Sequence, residues 1–106
     1  LQKRISPTQI KEFENKIYLL DTLSGIYIFD QLGTYIKNIP IENVDDFWII
    51  SRQVYFYRDQ QIWLYNSKLF EEIPQYRLED YRNISLSRDF ILGVTPQNEL
   101  YKINWK

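Results

Sequence analysis

The sequence of 106 residues contains no cysteine, no histidine, no methionine and no alanine. Without histidine or cysteine there is no imidazole base, no thiol nucleophile, no thiolate zinc site and no disulfide. Thirteen basic and fourteen acidic residues give a net charge of −1, and neither sign forms a long block. The electrostatic footprint of a nucleic-acid-binding protein is therefore missing. We expect no catalytic residue, no metal site, no cofactor and no nucleic-acid partner.

The residues that are abundant favour strands. The chain has fifteen isoleucines and eighteen aromatic residues. Such β-branched and aromatic side chains pack well on pleated sheets, whereas alanine, which is absent, is the best helix former. Charged residues make up 25% of the chain and are spread along its length, which argues against a membrane-spanning segment. The composition predicts an all-β protein that does not insert into a membrane.

Two hydrophobic runs separated by a polar turn recur roughly every 37 residues. The three copies are NKIYLLDTLSGIYIFD at 15–30, RQVYFYRDQQIWLYN at 52–66 and RDFILGVTPQNELYKIN at 88–104. Each copy follows a short apolar run, and the first two copies are followed by a segment that contains an Ile-Pro pair. Self-similarity at a fixed period is the signature of a repeat architecture. The sequence therefore predicts repeats of about four short strands at 9–41, 46–75 and 83–106.

The apolar runs also predict the strand positions. We expect strands at 9–13, 16–21, 25–30, 34–39, 46–50, 53–58, 61–66, 69–73, 83–87, 89–95 and 99–104. Several runs are apolar on both faces, which indicates sheets that are covered on both sides. Pro40 and Pro74 are expected to end the outermost strands, because proline has no N–H to donate to a ladder. We expect one domain over residues 1–106.

The segment KIYLLDTLSGIYIFDQLGTYIKNIP at 16–40 resembles the blade pattern of β-propellers of the NHL-like or six-bladed class. More narrowly, the chain is similar to uncharacterised propeller-like proteins of Bacteroidetes-type bacteria. The resemblance implies antiparallel four-stranded blades stacked as part of a β-propeller. Propellers typically have four to eight blades, so three units imply a fragment, with Gln2–Ile5 as a strand of the preceding blade.

Two small groups of acidic residues are candidates for a cation site or for acid–base catalysis. Glu42, Asp45 and Asp46 carry the oxygen ligands that a hard cation prefers, but their position after Pro40 favours a solvated connection between repeats. Glu71 and Glu72 are adjacent on a predicted strand. Their side chains would therefore point to opposite faces and would not act together as a general acid and base.

Aromatic residues fall into two sets. Those at equivalent repeat positions are predicted to lie in the core, namely Tyr18, Tyr27, Tyr55, Trp63, Tyr65 and Tyr101. Four others follow the repeat less closely and are predicted to form a partner-binding surface, since aromatic side chains anchor protein interfaces: Trp48, Tyr76, Tyr81 and Trp105.

These features favour a non-enzymatic scaffold or protein-interaction module, with a lean towards a bacterial cell envelope. The expected partner is another protein or the remaining part of the same protein, and open blade faces also predict a homo-oligomer. The alternative is a glycan-binding or enzymatic propeller whose active groups lie largely in missing blades. In that case Asp45, Asp46 or Trp48 would contribute here.

Overall fold

The computed structural model describes residues 7–105, and each regular element in that range is a β-strand. The first sheet contains β1 (Pro7–Phe13), β2 (Lys16–Asp21), β3 (Gly25–Asp30) and β4 (Tyr35–Ile39). The second contains β5 (Asp46–Ile50), β6 (Gln53–Arg58), β7 (Gln61–Asn66) and β8 (Glu71–Arg77). The third contains β9 (Asn83–Leu86), β10 (Phe90–Val94) and β11 (Leu100–Asn104).

The pairings recorded within the sheets are antiparallel. The strand orders are β1-β2-β3-β4, β5-β6-β7-β8 and β11-β10-β9. The all-β prediction is confirmed, with sheets of four, four and three strands within the described residues. No helix long and apolar enough to cross a membrane occurs between residues 7 and 105.

Two-residue turns connect β1 to β2 and β6 to β7. Asp59 and Gln60 link β6 to β7 with φ values of 53° and 61°, and Glu14 and Asn15 link β1 to β2 with φ values of 47° and 63°. Positive φ at both central residues gives a turn whose twist matches that of the flanking strands. These polar turns explain why the apolar runs form hairpins.

Most strands lie where the sequence predicts them, and β2, β3, β5, β6 and β7 have the predicted bounds. The prediction for β8 at 69–73 is wrong, because the strand runs from Glu71 to Arg77. Pro74 therefore lies inside β8 rather than at its end. A proline is accommodated there because β8 is an edge strand, and its register with β7 shifts between Ile62 and Trp63. Pro40 does follow the last residue of β4.

The chain divides into two compact units, the first ending at Phe47 and the second beginning at Trp48. The first unit has a core of fully buried apolar residues that includes Leu20, Ile26 and Phe47. The expected strand at Gln2–Ile5 lies outside the described residues. That residues 1–106 form one domain stays a prediction.

The core of the second unit joins two sheets. Tyr55 and Ile62 come from the second sheet, Leu86 and Ile91 come from the third, and Leu78 comes from the connection between them. These five residues form one buried cluster. The second and third sheets therefore pack on each other through apolar side chains, as the two-sided hydrophobic runs predict.

Candidate functional site

The four aromatic residues predicted to form a partner-binding surface all pack around the buried cluster of the second unit. We call them the aromatic rim: Trp48, Tyr76, Tyr81 and Trp105. Trp48 lies on β5, Tyr76 on β8, Tyr81 in the β8–β9 connection and Trp105 directly after β11. Each of them is half-buried. Their rings thus contribute to packing and also present surface to solvent.

Trp105 is held by two directional contacts. Its indole Nε1–H donates a hydrogen bond to the carbonyl oxygen of Ser87 at 3.1 Å. Its ring meets the ring of Tyr55 edge to face, with centroids 5.5 Å apart and an interplanar angle of 90°. Edge-to-face pairs are favourable because the positive ring edge meets the negative ring face. The contacts fix the orientation of Trp105.

Tyr81 is positioned by the third sheet. Its ring occupies the space next to Gly93 that a side chain at that position would need. It also makes an edge-to-face contact with Tyr101, with centroids 6.4 Å apart and an interplanar angle of 81°. Because Gly93 has no side chain, the ring of Tyr81 can lie against the third sheet at this position.

The predictions for the recurring aromatic residues have mixed outcomes. Tyr18, Tyr27, Tyr55 and Tyr65 are buried, as predicted. The prediction is wrong for Tyr101, which is 46% exposed. Tyr101 lies on β11, an edge strand of the three-stranded sheet, where no further strand of that sheet flanks it.

Trp63, the remaining member of that set, is half-buried and belongs to a stack that sequence reasoning missed. Its ring is nearly parallel to that of Phe56, with centroids 6.2 Å apart. The guanidinium of Arg58 lies 4.8 Å from the Trp63 ring centroid and forms an ion pair with Glu72. The signal was present in the sequence, because Phe56 and Arg58 are two residues apart on one face and Trp63 lies on the neighbouring strand.

Asp46, one of the acidic residues singled out in the sequence, makes an ion pair and a backbone hydrogen bond. The Asp46 carboxylate lies 3.2 Å from the Lys11 ammonium and accepts a hydrogen bond from the backbone N–H of Phe47 at 2.7 Å. Lys11 also lies over the Phe47 ring, 4.8 Å from its centroid. Within residues 7–105, no three carboxylates come close enough together to hold a metal ion. These contacts favour a structural role for Asp46.

Comparison of the chain with protein-family models, with curated proteins and with solved structures finds no match. The resemblance of residues 16–40 to propeller blades therefore stays a prediction.

Proposed function

We propose that this chain is a non-enzymatic, propeller-like scaffold that binds a protein partner through its aromatic rim. The observation that carries the proposal is the position of Trp48, Tyr76, Tyr81 and Trp105 around one buried cluster, where each ring is half-buried. Binding energy at protein interfaces concentrates in a few residues, and tryptophan and tyrosine are enriched among them.

The propeller-like arrangement is supported by the repetition of strand register. Ile17 pairs with Phe29 in the first sheet, Val54 pairs with Tyr65 in the second and Ile91 pairs with Ile103 in the third. These pairs occupy the equivalent positions that the sequence repeat predicts. Antiparallel four-stranded units repeated along a chain are characteristic of propeller blades.

The rim suits a protein partner because its rings are held in place before binding. Trp105 is fixed by its hydrogen bond to Ser87 and by the ring of Tyr55. Ordering a side chain on binding costs about 0.5–1.5 kcal/mol, and a ring that is already ordered avoids much of that cost. Rigid aromatic residues therefore favour tight association.

A glycan-binding or enzymatic propeller has less support in the described residues. Asp46, one of the acids assigned to that alternative, forms an ion pair with Lys11 and binds the backbone N–H of Phe47. A carboxylate with these contacts would have to give them up before it acted on a ligand. The scaffold function requires no such rearrangement.

The proposal can be tested by capturing partners from an extract of the source cells with the immobilised chain. Tyr76→Ala removes a rim ring, and Leu32→Ala, in the exposed turn between β3 and β4, is the matched control. We expect a protein captured by the wild type to be retained by the Leu32 variant and lost by the Tyr76 variant, with both variants folded by circular dichroism. Equal capture by all three proteins would contradict the proposal, as would stabilisation of the chain by one class of oligosaccharide.

A further inference from the structure

Three equivalent residues in the repeats differ sharply in exposure. Ile26, Ile62 and Leu100 lie in the first two residues of the third strand of their repeat, and they pair with Leu20, Tyr57 and Val94 respectively. Ile26 and Ile62 are 0% exposed, whereas Leu100 is 68% exposed. A large apolar side chain is thus uncovered at a position where the other two repeats are fully covered.

The second sheet shows what covers this position. Ile62 lies on the same face as Tyr55 and Leu64, and this face shares its buried cluster with Leu86 and Ile91 of the third sheet. The corresponding face of the third sheet is directed away from that cluster, and we call it the tail face. Its members, which are partly or largely exposed, are Phe90, Leu92, Val94, Leu100 and Lys102.

The first sheet has a partly exposed face that is equivalent to the face by which the third sheet packs on the second. The face of the third sheet that packs on the second includes Ile84, Leu86 and Ile91. Strand register makes Ile10, Glu12 and Ile17 their equivalents in the first sheet. We call this surface the head face, and Ile10 within it is 67% exposed. Its exposed or half-buried members include Ile10, Glu12, Ile17, Leu19 and Phe29, whereas Tyr27 on the same face is buried.

Charge distinguishes these open faces from the covered ones. Leu64 and Leu86 are both part of the apolar packing between the second and third sheets. Their equivalents on the open faces are Lys102 and Glu12, which are both exposed. Where the packing within the chain has two leucines of one apolar cluster, the tail face therefore carries a cation and the head face carries an anion, so the two open faces have complementary charge.

We propose that the tail face of one copy of this chain binds the head face of a second copy. The proposal rests on the propeller-like repeat in the proposed function, because it extends the packing of the second and third sheets to a new pair of sheets. Lys102 lies over the Phe90 ring, 5.0 Å from its centroid, so its charge is held on the tail face. Such a contact is heterologous, and it builds either a closed ring or a longer array.

Charge reversal tests this orientation. We expect the wild type to self-associate in sedimentation experiments, and Glu12→Lys or Lys102→Glu alone to raise the dissociation constant by about tenfold or more. Mixing the two variants, or combining both changes in one chain, is expected to restore association because each interface again has opposite charges. Loss of association with Lys102→Glu but not with Glu12→Lys would indicate a tail-to-tail dimer and overturn the proposal.

Cross-linking gives a second, independent measurement. The chain has no cysteine, so Ile10→Cys and Leu100→Cys each introduce a single thiol. Oxidation of an equal mixture is expected to give a covalent heterodimer, and oxidation of either variant alone is not. A wild type that stays monomeric at high concentration would overturn self-association. That outcome would leave the aromatic rim and its protein partner to be judged by the capture experiment.

Discussion

The ring of Tyr81 fills the space beside Gly93, so a methyl group at position 93 would collide with the Cδ1 and Cε1 atoms of that ring. Leu19 and Phe56 have the equivalent register positions in the first and second sheets, so among the three described sheets the third alone has a glycine there. The Tyr81 ring therefore covers the part of the third sheet that a side chain at position 93 would otherwise cover. Aromatic cover of a strand glycine is a known way to stabilise a sheet.

Gly93→Ala is expected to destabilise the protein by about 1–3 kcal/mol, because the added methyl group overpacks a filled site. Urea unfolding of the wild type, Gly93→Ala, Tyr81→Ala and the double variant measures the coupling between the two positions. Removal of the Tyr81 ring frees the space, so Gly93→Ala should cost less in the Tyr81→Ala background. An equal cost in both backgrounds would show that the Tyr81 ring does not limit position 93.

Two other glycines form a matched pair. Gly25 has a φ of 120°, and a Cβ there would collide with the carbonyl oxygen of Ile39, whereas Gly33 has a φ of 84° and open space around it. We expect Gly25→Ala to lower the free energy of unfolding by about 3 kcal/mol or more, because backbone strain and steric overlap act together. Gly33→Ala should lower the free energy of unfolding by only about 1 kcal/mol, because alanine would have to adopt the left-handed backbone conformation of Gly33 but would meet no neighbouring atom. Denaturant midpoints of the two variants would contradict this account if they were equal.

Phe70 offers a stabilising change. It lies in the turn between β7 and β8 with a φ of 54° and is 79% exposed, so it gains little from packing. Glycine adopts positive φ without steric cost. Phe70→Gly is therefore expected to raise the free energy of unfolding by about 1 kcal/mol. Leu69→Gly is the control, because Leu69 lies outside the positive-φ region and should lose stability.

The same turn shows where prediction of the fold from sequence succeeds and where it does not. The runs that became β6 and β7 are flanked by polar residues, so their bounds follow from hydrophobic patterning. Because Leu69 and Phe70 are apolar, the sequence predicts that β8 begins at residue 69. In the structure these two residues lie in the turn, and β8 begins at Glu71. Backbone conformation overrides hydrophobicity there, since Phe70 has a left-handed backbone conformation that a strand does not have.

The candidate site was predictable only in part. Departure from the repeat identified Trp48, Tyr76, Tyr81 and Trp105, but their assembly around one cluster depends on how the second sheet packs on the third. That packing is a tertiary property, which strand periodicity does not contain. The role of Gly93 was hidden for the same reason, because its neighbour Tyr81 is twelve residues away in the chain.

The stability of the protein at alkaline pH is expected to depend on two tyrosines. Burial raises the pKa of the Tyr18 phenol, and the nearby charge of Glu14 raises it further. Burial likewise raises the pKa of Tyr65, with a further contribution from Glu72. In the unfolded chain both phenols ionise at about pH 10, so the unfolded state releases these protons first as pH rises. Their contribution to stability is complete below that pH and is lost as pH rises through the folded pKa values.

Urea unfolding followed from about pH 8 to about pH 11 measures this effect. The wild type should lose stability above about pH 10, and Tyr18→Phe combined with Tyr65→Phe should lose less over the same interval, because phenylalanine has no proton to release. The two proteins differ only in these two hydroxyl groups, so the difference between the two curves isolates the contribution of the Tyr18 and Tyr65 phenols. Parallel curves for the wild type and the double variant would show that folding changes the pKa of neither phenol.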